Sequence, residues 1–483
     1  LVDSSNTAPG RSSKDAIAAP IVFGTSGWRG VSGEDFTLPR VRIAVRAVAR
    51  WLAETSPGGE VVVAHDTRPD GERFAELASA ILRAHGASVT RARGAVPTPV
   101  AARAVVTRAA AAAVVFTASH NPPEYRGMKV FGCWGGGLEE EQTRRLEGLA
   151  AGLAADEGAP AAEVAAPAAA VDLVSPYLRD LLAEIDVAAL RRSNLRVVYD
   201  AMHGAGSGVL DRAIADCGVP VRTLRGDPDP RFGGAAPDPI PRRLRGLVRA
   251  VRDLDGPCLG LATDGDADRF AVVGAEGRVL SETEAVALLV DHLARTGRVE
   301  RGVAISFATG TLVERVATSH GLRVERHPIG FKHLSRALRS GAVDAAGEES
   351  GGFALGRFGL DKDGILAGCL FAEMAASGRA PLGSRLAELE HRHGRSFCGR
   401  IAVPRDARSQ AALDRLAACP PERVDGARVR AVTLRDGLYL ALDDGFLMLR
   451  ASGTEPLLRI YGEAPGSRLL TRRLAAGSEL LAG

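Results

Sequence analysis

CLGLATDGDADRF (258–270) begins as an apolar run and breaks into a short acidic turn, the pattern of a buried strand that delivers a polar loop at its carboxyl end. The same pattern recurs in VVVAHD (61–66), AAAVVFTAS (111–119), LRVVYDAMHG (195–204) and GVAISFATG (302–310). Long amphipathic segments lie between these runs, among them RFAELASAILRAHG (73–86) and ETEAVALLVDHLARTG (282–297), and they read as crossover helices. Repeated strand, turn and helix predict an α/β protein with doubly wound units. Ligands in such sheets bind beyond the carboxyl ends of the strands, where the unusual residues of this chain sit.

The 483 residues make a single core implausible, since a domain takes roughly 150. Residues 150–170, AAGLAADEGAPAAEVAAPAAA, form a low-complexity Ala/Pro stretch expected to be a linker or an exposed helix end. A second break lies between 376 and 396, after which IAVP, VRAVTL, LYLAL, FLMLR and LLRIYGE read as short strands without long crossovers. That part is expected to be a smaller α+β domain. The restart of the strand and helix pattern adds a boundary near 275. The expected organisation is a flexible, polar, Pro/Gly/Ser-rich tail over 1–20, α/β domains over 21–160, 171–275 and 276–385, and a last domain over 395–483.

Hydrophobic residues at 46% and charged residues at 25% match an ordinary soluble globular protein, and no apolar run approaches the length of a membrane span. Lys and Arg number 61 against 58 Asp and Glu, a net +3 that gives no basis for nucleic acid or an anionic membrane as partner. Phosphate recognition must therefore be local. The six cysteines show no CxxC and no metal-type pairing with His, which disfavours disulfides and zinc and suits the reducing cytoplasm.

Four loops carry chemistry. TASHNPPEYRGMKV (117–130) follows the strand AAAVVF and presents Ser119 on a loop rather than in the core, with His120 and Lys129 near enough to manage protons or charge. Ser-His pairs in loops are also common turn formers. TDGDADRF (263–270) alternates Asp264, Asp266 and Asp268, which in an extended loop project one way and suit a hard cation such as Mg²⁺. An EF-hand fails because Arg269 stands where Gly is needed and Ala275 where Glu is needed. An aspartyl-phosphate phosphatase and a solvated acidic turn remain as rivals. GEESGG (347–352) spaces Glu348 and Ser350 two apart in a Gly-bounded loop able to grip neighbouring sugar hydroxyls, or to be a simple turn. RASGTEP (450–456) offers the planar fork of Arg450, with Ser452, Thr454 and the NH groups around Gly453, as an anion nest or a β-turn. No Walker A sequence occurs.

Together with FGTSGWRG (23–30), the loops TASHNP, DGDADRF, GEESGG and RASGTEP resemble, in order and spacing, the signature loops of the α-D-phosphohexomutase superfamily from about residue 21 to the C-terminus. The resemblance implies three related doubly wound α/β domains and a TATA-binding-protein-like C-terminal domain around a central cleft. It implies that Ser119 carries a phosphoryl group, that Asp264, Asp266 and Asp268 bind Mg²⁺ with phospho-Ser119 as a further ligand, and that Arg29, His120, Lys129 and Arg269 line the reacting centre. Glu348 and Ser350 would hold sugar hydroxyls, while Arg450, Ser452, Gly453, Thr454 and Arg459 would clamp the phosphate that is not reacting. The implied reaction interconverts hexose 1- and 6-phosphates, with glucose 1,6-bisphosphate as activator and intermediate and sugar phosphates as the only expected partners.

HPIGFKHL (327–334), with Gly330, Phe331 and Lys332, and the Asp361-Lys362-Asp363-Gly364 segment resemble glucose-type members. Glucose is therefore expected ahead of mannose. Phosphoglucosamine mutase comes third, because that first loop usually has Asp where Ser26 stands. A catalytically silent sugar-phosphate-binding relative is the non-enzyme alternative, and a metal-dependent phosphatase the other enzyme class. The sequence sets no oligomeric state.

Overall fold

The computed structural model describes residues 20–24, 27–155, 168–378, 380–453 and 455–482. The expected tail, apart from Pro20, most of the Ala/Pro linker, Ser26 and Thr454 lie outside the described residues.

Three sheets repeat one plan. In the first, Glu60–His65 is flanked by Ser88–Ala92 and Ala112–Phe116, all parallel, and Tyr125–Gly132 returns antiparallel to Ala112–Phe116. In the second, Arg196–Asp200 is flanked by Val221–Leu224 and Cys258–Thr263, with Phe270–Val273 returning antiparallel. In the third, Gly302–Ser306 is flanked by Arg323–His327 and Ala345–Gly347, with Phe353–Leu355 returning antiparallel. The loop joining the third strand of each unit to its antiparallel partner is in turn 117–124, 264–269 and 348–352. Each is one of the motif loops. The last domain is a six-stranded antiparallel sheet carrying the helices Ala407–Ala418 and Ser467–Ala482.

Local sequence explains the helices. Leu38–Thr55 opens with proline in its first turn and buries Val41, Ala44, Val45, Val48 and Leu52, one stripe at helical spacing. Glu282–Arg295 starts on a capping box in which Ser281 and Glu284 bond each other's backbone NH groups.

Two expected boundaries fall inside elements. Residue 385 lies within the helix Leu382–His393, whose Leu386 and Leu389 join the same apolar core as Leu288 and Leu289, so packing carries that helix with the third domain. Ala170–Val171, at the expected start of the second domain, pairs with Ser88–Ala92 in the first sheet.

One contiguous core runs through the three α/β domains, so their relative placement rests on buried apolar contact. The last domain meets the third through Phe307, Tyr439, Phe446, Met448 and Tyr461, with ring centroids 5.4 Å apart for Phe307–Tyr439 and 5.2 Å for Tyr439–Phe446. Among the described residues no helix is long and apolar enough to cross a membrane. All six cysteines are free.

Candidate active site

The serine loop and the acidic loop meet face to face. Ser119 Oγ donates to Asp264 Oδ2 at 2.6 Å and lies 3.3 Å from His120 Nδ1. Ser119 is 1% exposed and adopts a left-handed backbone with φ of 52°. It is therefore buried, not presented to solvent as the strand-end reading expected, because the second domain closes over it. Gly265 permits that approach: a Cβ there would stand 2.7 Å from the Ser119 carbonyl oxygen.

The three aspartates converge by a different route from the one their alternation suggested. The loop is a turn, with Ala267 left-handed at φ of 56°, and not an extended segment. One carboxylate oxygen from each of Asp264, Asp266 and Asp268 nevertheless lies within 4.8 Å of the others. Lys129 Nζ donates to Asp266 Oδ2 at 2.6 Å and Asp268 Oδ2 at 2.7 Å, and Lys362 Nζ lies 3.2 Å from Asp268 Oδ2. Asp266 Oδ1 and Asp268 Oδ1 are buried with no hydrogen-bond partner. Orphaned carboxylate oxygens in an all-oxygen cluster fit a hard divalent cation, and the donor set holds no soft atom for zinc.

Burial and the neighbouring Asp266 and Asp268 push the Asp264 carboxyl well above its usual range. For Asp268 burial acts the same way, but Lys129, Lys362 and Arg269 outweigh it and hold that carboxyl below its usual range. Burial pulls Lys129 down, and Asp266 with Asp268 more than restores it. Burial, Arg269 and Arg29 hold the His120 imidazole far below its ordinary value. Arg29 Nη1 donates to Asn121 Oδ1 at 2.6 Å, fixing the guanidinium beside the serine loop.

The acidic loop also touches the sugar-type loop. Arg269 bridges to Gly352 in the backbone, and Gly364 NH donates to the Ala267 carbonyl at 3.0 Å. A Cβ on Gly364 would stand 2.5 Å from the Arg269 carbonyl, so only glycine lets that helix start against the acidic loop. Glu348 is buried and accepts from Ser350 Oγ at 2.5 Å, so the two side chains bond one another instead of offering two free grips. Glu349 accepts from Ser306 Oγ at 2.5 Å, and burial together with Glu348 raises its carboxyl to about 7.

Phe331, Lys332, Lys362 and Lys129 line an open hollow with Gly24 and Gly27. Gly330, at φ of 122°, caps the helix Phe331–Arg339 and turns Phe331 inward, where Lys362 Nζ sits 5.3 Å from the ring centroid. In the last domain Arg450 Nε donates to Asp436 Oδ1 at 2.8 Å, so part of its donor fork is engaged, and Asp436 Oδ2 in turn accepts from Ile329 NH at 2.7 Å. Ser452 is buried, and Arg459 Nη2 donates to Glu455 Oε2 at 2.6 Å.

Three further side chains hold this arrangement without belonging to any motif. Thr98 Oγ1 donates to Asp266 Oδ2 at 2.6 Å, Asp66 Oδ2 accepts from Thr117 Oγ1 at 2.6 Å, and Arg68 Nη2 donates to the Ser119 carbonyl at 2.7 Å. Asp66 and Arg68 follow the strand VVVAH in HDTRPD (65–70), so strand-end position was the signal available for them; Thr98 had none.

Comparison with known proteins gives the family of the chain. Four family models match in chain order: phosphoglucomutase/phosphomannomutase alpha/beta/alpha domain I over residues 20–155, domain II over 175–277, domain III over 282–393, and the C-terminal domain over 400–477. The chain belongs to the phosphoglucomutase/phosphomannomutase family. It is an isomerase of that type. A phosphoglucomutase/phosphomannomutase of Thermococcus kodakarensis is 30% identical over 95% of this chain and 98% of its own length. A phosphoglucosamine mutase of Rhodococcus jostii is 30% identical over 92% of this chain and 95% of its own. A crystal structure from Thermus thermophilus, provisionally assigned as a phosphomannomutase, superposes with a TM-score of 0.84 at 32% identity, covering 96% of this chain and 100% of that one.

Proposed function

We propose that the chain interconverts glucose 1-phosphate and glucose 6-phosphate through phospho-Ser119 and glucose 1,6-bisphosphate. The observation that carries this reading is Ser119 Oγ, 2.6 Å from Asp264, facing two aspartates that each keep a buried oxygen without a partner. A phosphoryl group on Ser119 would project into that acidic cluster, which repels it unless a cation intervenes. Asp264, Asp266 and Asp268, with phospho-Ser119, would hold Mg²⁺, which supplies charge neutralisation for the transferring phosphoryl group.

The P–Oγ bond of phospho-Ser119 breaks as the free hydroxyl of the hexose phosphate forms its own P–O bond. The hydroxyl proton passes to the departing Ser119 Oγ, which ends as the serine hydroxyl, with His120 Nδ1, 3.3 Å from that oxygen, as the relay. Lys129, Arg29 and Arg269 offset charge spread over the equatorial oxygens. The resulting bisphosphate turns over in the cleft, and its other phosphoryl group returns to Ser119. Glu348 and Ser350 serve both orientations, since breaking their mutual hydrogen bond frees a carboxylate and a hydroxyl for adjacent sugar hydroxyls. Arg450, Ser452, Gly453, Thr454 and Arg459 bind the remote phosphate, and that binding energy positions the reacting end. Burial of Ser119 keeps water from hydrolysing its phosphate. The free cysteines support the reducing cytoplasm as its compartment.

A second reading, an amino-sugar phosphate as substrate, is favoured by the similarity to the Rhodococcus phosphoglucosamine mutase. One assay decides between them. Purified protein with Mg²⁺ and trace glucose 1,6-bisphosphate is given glucose 1-phosphate, mannose 1-phosphate or glucosamine 1-phosphate in parallel. The highest kcat/KM is expected for glucose 1-phosphate. Release of inorganic phosphate in place of the 6-phosphate would make the chain a phosphatase and overturn the reading.

A further inference from the structure

Arg68 is 4% exposed and spends its guanidinium on the backbone of the serine loop. Its Nη1 donates to the carbonyls of Pro122 at 2.8 Å and Tyr125 at 3.0 Å, and its Nη2 to those of Ser119 at 2.7 Å and Asn121 at 2.6 Å. Its Nε lies 3.3 Å from Asp66 Oδ2, and Asp66 Oδ2 also accepts from Thr117 Oγ1, which accepts from Ser119 NH at 2.8 Å. Arg68 thus holds the Ser119 carbonyl directly and lies beside the Asp66–Thr117 pair that holds the NH of the same residue, whose left-handed φ carries a steric cost.

The other face of Arg68 looks across the domain boundary. Its Cζ lies 4.9 Å from the centroid of Phe232, a residue 2% exposed in the second domain. Further along that segment the Pro237 carbonyl accepts from Gly265 NH at 3.2 Å, beneath the acidic loop. One guanidinium therefore touches the serine loop directly and the acidic loop through its supporting segment.

We infer that Arg68 is a positioning residue that holds Ser119 in its strained conformation and sets the approach of its Oγ to the aspartates. Arginine is needed because a planar fork reaches four carbonyls at once, while an ammonium is a point donor. The inference rests on the proposed role of Ser119 for its functional consequence, but not for its geometry.

The experiment compares the crystal structures and the kinetics of the wild type, Arg68→Lys and Phe232→Leu. In Arg68→Lys the expected results are a Ser119 that leaves the left-handed region, an Oγ out of hydrogen-bond reach of Asp264, and a kcat lowered about 100-fold at unchanged KM. Phe232→Leu keeps the carbonyl contacts and removes the ring, so it should fold, keep Ser119 left-handed and show a smaller kcat loss at unchanged KM. Should Arg68→Lys fail to fold, Phe232→Leu reads the coupling alone, and an unaltered kcat there overturns the inference. A folded Arg68→Lys with Ser119 in place and kcat unchanged overturns it as well, as does a rise in KM without loss of kcat. A wild type that turns over none of the three hexose phosphates would sink the mutase reading, while the crystal structures still decide the role of Arg68.

Discussion

Replacing Thr98 by Val tests whether the first domain tunes the metal affinity of the second. Thr98 is 1% exposed and its Oγ1 gives Asp266 Oδ2 a hydrogen bond of 2.6 Å, while Lys129 Nζ gives the same oxygen another. Valine keeps the volume and exchanges the hydroxyl for a methyl group. The carboxylate keeps its ammonium partner, so no buried charge is stranded, and the Thr98 NH still donates to the Asp266 carbonyl at 2.9 Å. What is lost is one hydrogen bond to a charged group, about 1.5–3 kcal/mol. That bond is made before the metal binds, so it bears on affinity by holding the carboxylate in place, which is worth roughly the 10- to 100-fold that partners behind a metal ligand typically contribute. The half-saturating Mg²⁺ concentration for turnover should rise by about that factor, and saturating Mg²⁺ should restore kcat. Calorimetric titration of Mg²⁺ into the protein gives the same quantity without turnover. An unchanged Mg²⁺ affinity would refute the reasoning, and so would a kcat loss that Mg²⁺ cannot reverse.

Mass spectrometry of the wild type should show one phosphopeptide, containing Ser119, and Ser119→Ala should abolish it and lower turnover by several orders of magnitude; phosphate found only on another residue would displace Ser119 from its role. Glu348→Gln should lower kcat/KM for glucose and mannose 1-phosphates by similar factors, whereas replacing Phe331 and Lys332 by small residues should change their ratio; the reverse result would move the discriminating contact into the 348–352 loop. Glu349 has a folded-state carboxyl raised to about 7, above its ordinary range, by burial and Glu348, with Ser306, Arg400 and Tyr461 facing it. The folded state thus binds its proton more tightly, so the associated stability is full below the ordinary carboxylate range and is lost as pH rises through about 7. Glu349→Gln should therefore gain thermal stability relative to the wild type between pH 5 and pH 8, and a difference independent of pH would count against this.

The fold class and the motif loops were readable because strand-end loops announce themselves. The strands Ala112–Phe116, Cys258–Thr263 and Ala345–Gly347 end where the Ser, Asp and Gly-rich loops begin, and the first two start within a residue of the apolar runs read from the sequence. The network around those loops was not readable. Thr98 and Asp266 are separated by 168 residues and meet only when two domains do, while Arg68 and Ser119, 51 residues apart, meet at the ends of neighbouring strands of one sheet, and no periodicity marks either pairing. The burial of Ser119 escaped for the same reason, since its cover comes from Gly265. The bend of the acidic loop hinged on the left-handed Ala267, a residue type with no preference for that conformation. The 385 boundary was misplaced because the helix Leu382–His393 follows a Pro-containing break in sequence yet rejoins the preceding core in space.

The three active loops occupy one socket, the connection between a parallel strand and the antiparallel strand that doubles back beside it. Both stems of such a loop are fastened by ladder hydrogen bonds, so its length and residues can be rewritten while the sheet beneath is left untouched. The Ser119 loop, the acidic cluster and the Glu348–Ser350 loop are thus three cartridges for a common holder. Exchanging a cartridge between holders would leave the ladders intact, but contacts such as Gly265 on the Ser119 carbonyl and Gly364 on the Arg269 carbonyl would have to move with it, which makes the hairpin socket together with its facing glycine, more than any single domain, the unit in which this enzyme could be redesigned.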